Sequence, residues 1–164
     1  MLLSLSTLSA GPKAAGTVFS ATCVGLSYEH SVEEGNFISL NLNLDIDDIM
    51  WMRADKPGGD ISVIWNIVFA EKESESGNRI SFFAGPGIMA GWVTDFKDVA
   101  GAAFGLKGRI GVECSFKRPV TLSASLSPIL GCHITSDSSE LKMRLYKSGL
   151  LQMIIPEIGI KYTF

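Results

Sequence analysis

The chain has 164 residues, 46% of them apolar and 19% charged, with a formal net charge of −3 and a mean hydropathy of +0.27. That length suits one domain, 1–164, with one core or one small closed barrel. Basic residues are neither in excess nor clustered, which excludes an electrostatic footprint for nucleic acid, and no stretch approaches the roughly 18 uninterrupted apolar residues of a membrane-spanning helix. Seventeen glycines and nine phenylalanines, with many Ser, Thr, Val and Ile, predict an all-β chain.

In chain order, Met1 to Ala10 ends in Leu-Ser-Ala like a signal peptide, but it lacks a basic start and is broken by Ser4, Ser6, Thr7 and Ser9. It is read as a first strand over residues 2–10, with the export signal already removed and Met1 an added start. From Val18 to Glu29, Val24, Leu26 and Tyr28 alternate with Gly25, Ser27 and Glu29. The clearest strand follows, in which Ile38, Leu40, Leu42, Leu44 and Ile46 alternate with Ser39, Asn41, Asn43 and Asp45. Val63, Trp65, Ile67 and Phe69 then share a face opposite Asn66, and Ile80, Phe82, Ile88 and Trp92 one opposite Ser81, Gly85, Gly87 and Gly91. Between Phe104 and Phe116, Phe104, Leu106, Ile110 and Val112 oppose Gly105, Lys107, Arg109, Gly111 and Glu113. Serines and Thr121 alternate with Val120, Leu122, Ala124, Leu126 and Leu130, and the chain ends with Ile158, Ile160, Tyr162 and Phe164 opposite Glu157, Gly159 and Lys161. This gives eight strands.

Turn residues separate them: Gly11-Pro12, Glu34-Gly35-Asn36, Lys56 to Gly59, Ser76 to Asn78, Lys117 to Pro119 and Ser136 to Ser139. Ser31–Gly35 and Lys117–Pro119 are short connectors, Asp47–Asp60 and Thr135–Gly149 long ones, the asymmetry of transmembrane barrels. Pro86, Pro128 and Pro156 lack a ladder donor and predict local bulges.

Alternation does not say which face looks inward. The polar set is small, rich in Gly25, Gly85, Gly87, Gly91, Gly105, Gly111, Gly131 and Gly159, while the other set is bulky and aromatic. An eight-stranded barrel has an interior just wide enough for side chains to fill. The expected fold is therefore an eight-stranded antiparallel up-and-down transmembrane β-barrel with its apolar side chains outward. Glu29, Asp45, Glu113 and Glu157 would face Lys107, Arg109 and Lys161 in a lumen charge network, because buried charges must be paired. Tyr28, Trp65, Trp92, Phe116, Tyr162 and Phe164 are expected as lipid-facing girdle residues near strand ends.

The segment Pro156-Glu-Ile-Gly-Ile-Lys-Tyr-Thr-Phe164 resembles the terminal strand of bacterial outer-membrane β-barrel proteins. Gly85-Pro-Gly-Ile-Met-Ala-Gly91 and Ser127-Pro-Ile-Leu-Gly131 further resemble the Bacteroidetes-type outer-membrane β-barrel domain. The resemblance implies an exported protein of the outer membrane, with the lipid bilayer and the barrel-assembly machinery as partners, the latter reached through the strand ending in Phe164. A structural, adhesive or small-solute role in a monomer is the expectation. The rival is a water-soluble lipocalin-like carrier with its apolar residues inside.

No catalytic residue, metal or cofactor is expected. His133, with Thr135, Ser136 and Glu140, faintly resembles the lipid A deacylases of the outer membrane, whose base-activated hydroxyl attacks an ester. Thr135 stands where their serine belongs, and a lumen or rim histidine is the plainer reading. Glu113 and Glu157 as an acid/base pair, and Asp45, Asp47 and Asp48 as a calcium loop, are weaker than structural ion pairs and a solvated turn. The wide spacing of Cys23, Cys114 and Cys132 suggests neither zinc nor a disulfide framework. Met50-Trp51-Met52 reads as a membrane-rim contact.

Overall fold

The computed structural model describes residues 13–21, 23–33, 35–45, 58–75, 77–94, 100–116, 119–137, 140–145 and 155–164. Alternating sequence becomes strand throughout: β1 (Lys13–Phe19), β2 (Cys23–Glu33), β3 (Asn36–Asp45), β4 (Gly58–Glu73), β5 (Arg79–Thr94), β6 (Ala100–Ser115), β7 (Val120–Leu126), β8 (Ile129–Asp137), β9 (Glu140–Leu145) and β10 (Glu157–Thr163). Each pairs antiparallel with its neighbour, and the β5–β6 ladder closes the ring β5-β4-β3-β2-β1-β10-β7-β6. β7 and β8 are two lengths of one strand, since both lie on β6 in the same register, Leu126 facing Ile110 and Ile129 facing Lys107. β9 and β10 return beside them. The wall is thus a closed eight-stranded barrel.

One rung, followed from Ala124 through Ile158, Phe19, Val24, Leu44, Gly59, Trp92 and Ala102, returns to the starting strand at Ile134, ten residues further on. A closed sheet so staggered must tilt its strands, by about 35–45° in known barrels.

One end, the turn end, carries the connections after β2, β4 and β6. Gly35 and Gly77 take φ of 81° and 76° in two of these turns, a region that side chains disfavour. Here the first and last strands also meet, Lys13 N donating to Phe164 O at 3.3 Å and Phe164 N to Lys13 O at 2.8 Å. The other, loop end holds the last residues of β1, β3, β5 and β8 and the first of β2, β4, β6 and β9.

The faces separate with a period of two. Leu42 is 52% exposed and Ile160 50%, whereas their neighbours Asn41 and Lys161 are 5% and 1% exposed. This is the reverse of a water-soluble barrel, and it overturns the carrier with an apolar interior.

Several expectations are corrected. Residues 2–10 lie outside the described residues, and the place beside β10 is taken by β1, which the sequence pattern had merged with its successor; Ser20 N to Cys23 O closes a tight turn between them. The prolines make no bulges. Pro86 leaves a gap in the β4–β5 ladder opposite Trp65 and Asn66, after which the register resumes unchanged, and Gly85 accommodates the Trp65 carbonyl where a Cβ would collide. The register also holds across Pro128, whose carbonyl accepts from Gly108 N at 2.9 Å. Pro156 precedes β10, where no donor is required. The bulges fall instead between Ser31 and Glu33 and between Val68 and Ala70, near the turn end. The stretch expected as a long loop from Thr135 to Gly149 is largely the β8–β9 hairpin.

Candidate functional site

The interior is built from inward positions on every strand, and it holds two groups of ionic side chains. Toward the turn end, Lys161 of β10 reaches Glu29 of β2 at 2.6 Å and also binds Glu113 of β6. Gly16 on the intervening β1 makes the reach possible, since a Cβ there would overlap the backbone of Ile160 and Lys161. Arg109 of β6 is held from four sides. Its Nη1 donates to Glu29 Oε1 at 3.3 Å and Ser39 Oγ at 3.4 Å, and its Nε to Ser125 Oγ at 3.2 Å. Its guanidinium also lies 5.1 Å from the centre of the Phe83 ring, a cation–π contact. Phe83 meets Phe37 edge to face at 5.4 Å, and Asn66 Nδ2 donates to Ser39 Oγ at 2.6 Å.

Nearer the loop end, Lys107 Nζ lies 3.9 Å from Asp60 Oδ1, to which Asn43 Nδ2 donates at 3.1 Å. Glu157 accepts from Ser127 Oγ at 2.8 Å. Met89, Ala103 and Ile129 pack together in this half. A cleft of about 200 Å³ enters from the turn end, lined by Glu29, Phe37, Glu71, Arg79 and Glu113 among others. Arg79 and Glu71 pair at its rim.

Of the expected lumen residues, Glu29, Arg109, Glu113 and Lys161 meet in one cluster. Lys107 lies with Asp60 instead, and Glu157 bonds a serine, so Glu113 and Glu157 do not form a carboxylate pair. Asp45 ends β3, and its side chain is outside the description. Asp60 was missed because it was assigned to a loop; its even-numbered spacing from Ser62 and Asn66 was the available signal. Phe37 and Phe83 were missed because aromatics were expected outside, although Phe83 shares the parity of Ser81 and Gly85.

All six expected girdle aromatics are exposed on the outer face. Phe116, Tyr162 and Phe164 gather at the turn end and Trp92 lies near the loop end, but Tyr28 and Trp65 stand in mid-strand, opposite Leu40 and Ile38 respectively. His133 and Thr135 are buried, with inward parity on β8, so an outer-face lipid does not meet them. Cys114 and Cys132 lie on the outward parity of their strands, while Cys23 is buried inside. Met50-Trp51-Met52 and Asp47-Asp48 fall outside the described residues. No group of metal-ligating side chains occurs among the described residues.

The architecture has a counterpart among solved structures. The chain is similar to the crystal structure of the N-terminal β-barrel domain of Pseudomonas aeruginosa OprF. The two share 15% identity with a TM-score of 0.50, over 93% of this chain and 96% of that one. The match extends to fold and lends no support to the Bacteroidetes-type kinship. No protein-family model and no curated protein matches the sequence.

Proposed function

We propose that this chain is an integral outer-membrane β-barrel, exported and inserted as a monomer, whose role is structural. The observation that carries the reading is the inversion of the two faces. A belt of Leu26, Leu42, Leu44, Ile88, Leu106 and Ile160 is half or more exposed, an arrangement that is unfavourable in water and favourable in hydrocarbon. No helix among the described residues is long and apolar enough to cross a membrane, and strands are the other means of crossing one. The similarity to the OprF barrel domain supports the same reading. The turn end, where Lys13 and Phe164 meet, faces the periplasm, and the terminal strand with Phe164 is what the assembly machinery receives.

The interior favours a closed wall over a pore. Arg109, Lys161 and their partners occupy the interior toward the turn end, and opening a path would separate paired charges in a space of low dielectric. Adhesion through the loop end is compatible with this role; free solute passage is not. The test is refolding into detergent micelles and lipid vesicles. Insertion, faster gel migration before heating than after, and absence of steady conductance in a planar bilayer are expected. A monodisperse protein in plain buffer would defeat the membrane reading, and a stable open channel would defeat the structural role.

A further inference from the structure

We propose that the turn-end cleft binds a short aliphatic diamine in its doubly protonated form, one ammonium at the floor and the other at the rim. The site requires only the closed barrel; its access from the periplasm rests on the orientation proposed above. The cleft holds about 200 Å³, and its described lining carries three carboxylates, Glu29, Glu71 and Glu113, against one cation, Arg79.

The floor shows how that excess arises in a barrel whose interior charges are paired. Lys161 and Arg109, which neutralise Glu29 and Glu113, have side chains 0% and 2% exposed, whereas the two carboxylates are 9% and 14% exposed and line the cleft. The cluster is neutral in sum but sorted, its cations sealed inside and its acids open toward the turn end. Each acid gives Oε1 to its internal partners, and an ionised carboxylate offers about four acceptor sites, so capacity remains for an incoming donor. A cleft of one sign with walls of low dielectric concentrates its field. The hydroxyls of Ser31 and Ser81 add acceptors, which suits an ammonium, a group with three donors and no acceptor. Phe37 and Val68 supply apolar wall for the methylenes between its two ends.

Glu71, Ser81 and Glu113 lie on one rung across β4, β5 and β6, and all three line the cleft. Two strand spacings separate the backbones of the two acids, about 10 Å, so a short chain charged at both ends can reach from one to the other. At the rim Glu71 is paired with Arg79, their side chains 38% and 58% exposed, and an exposed pair of this kind is weak. The second ammonium therefore displaces the guanidinium at little cost, and Arg79 is a competitor of the ligand.

The experiment titrates 1,4-diaminobutane into the folded barrel in zwitterionic micelles at low salt and follows the backbone amide chemical shifts. Saturable shifts at Ser81, Ser115 and Thr163 are expected, and none from sodium chloride of equal ionic strength. Glu113→Gln should weaken binding about tenfold and Glu71→Gln about threefold, while Arg79→Gln, which frees Glu71, should tighten it about threefold. Butylamine, with one ammonium, should bind more weakly and be indifferent to E71Q. Heat-dependent gel migration verifies folding, and the exposed rim variants decide the case where E113Q does not fold. Shifts that do not saturate, shifts that sodium reproduces, or weaker binding by R79Q overturn the site, and equal sensitivity of both amines to E71Q overturns the two-ended pose. A protein that is monodisperse without detergent overturns the membrane reading instead, and the same titration in plain buffer then still decides the cleft.

Discussion

Lys161 Nζ donates to Glu29 Oε1 at 2.6 Å across 132 residues of sequence, although their strands, β10 and β2, do not pair with each other. The contact spans β1, and it ties β10 to β2 through the barrel interior rather than through the wall. Because Lys161 also binds Glu113, and Glu29 also binds Arg109, four charges from three strands share one desolvated volume.

Removing one member should therefore cost more than removing its ammonium's own attractions. Lys161→Met leaves Glu29 and Glu113 buried with less compensation, and breaking such a pair costs about 3–5 kcal/mol. The combined K161M/E29Q/E113Q variant should recover part of that loss. Urea unfolding in micelles, followed by tryptophan fluorescence, checks both; equal stability of K161M and wild type would contradict the network.

The outer face gives a depth-dependent prediction. Leu42 lies within the exposed belt, so Leu42→Arg should destabilise the barrel in lipid vesicles by about 2–4 kcal/mol, while Tyr162→Arg at the turn end should cost about 0–1 kcal/mol. Comparing the two in one vesicle system separates membrane burial from a general effect of adding charge.

The seam between β1 and β10 depends on Gly16. A side chain there overlaps the Ile160 carbonyl, so Gly16→Val should prevent closure and abolish the heat-dependent gel shift. Gly35→Ala has room for its methyl, with nothing nearer than 3.7 Å, but must adopt φ of 81°; its cost should be about 1 kcal/mol, leaving folding intact.

The cysteines report the faces independently. A membrane-permeant maleimide should modify Cys114 and Cys132 in the folded barrel and reach Cys23 after unfolding. Intact-mass measurement in detergent, before and after denaturation, reads the number of adducts.

Much of this fold was legible because a strand writes its two faces into alternate residues. In β3, Ser39, Asn41 and Asn43 against Leu40, Leu42 and Leu44 left one assignment of faces, and glycine on the polar side pointed that side inward. The boundaries were less legible. Lys13–Phe19 reads Lys-Ala-Ala-Gly-Thr-Val-Phe, whose small residues carry little hydrophobic contrast, so the strand was merged with its successor. Bulges at Val32 and Phe69 depend on how two strands slip past each other, which neither strand encodes alone. Proline was over-read: one missing donor can be absorbed by a gap in one ladder while the other ladder keeps its register. Within the site, the charged types and their parity were visible, but the partners were not, because Lys161 chooses Glu29 and Glu113 through the stagger of the closed sheet.

The meeting of Lys13 with Phe164 has a bearing on how the molecule can be made and remade. The wall has no partial version that is sealed, since the strands farthest apart in the chain supply the last ladder, and such distant pairing is slow to find. With Lys13 and Phe164 hydrogen-bonded side by side, a short linker could join these two positions and new ends could be cut at a tight turn such as 74–78. A circularly permuted barrel of that kind would exchange the slow step for a local hairpin.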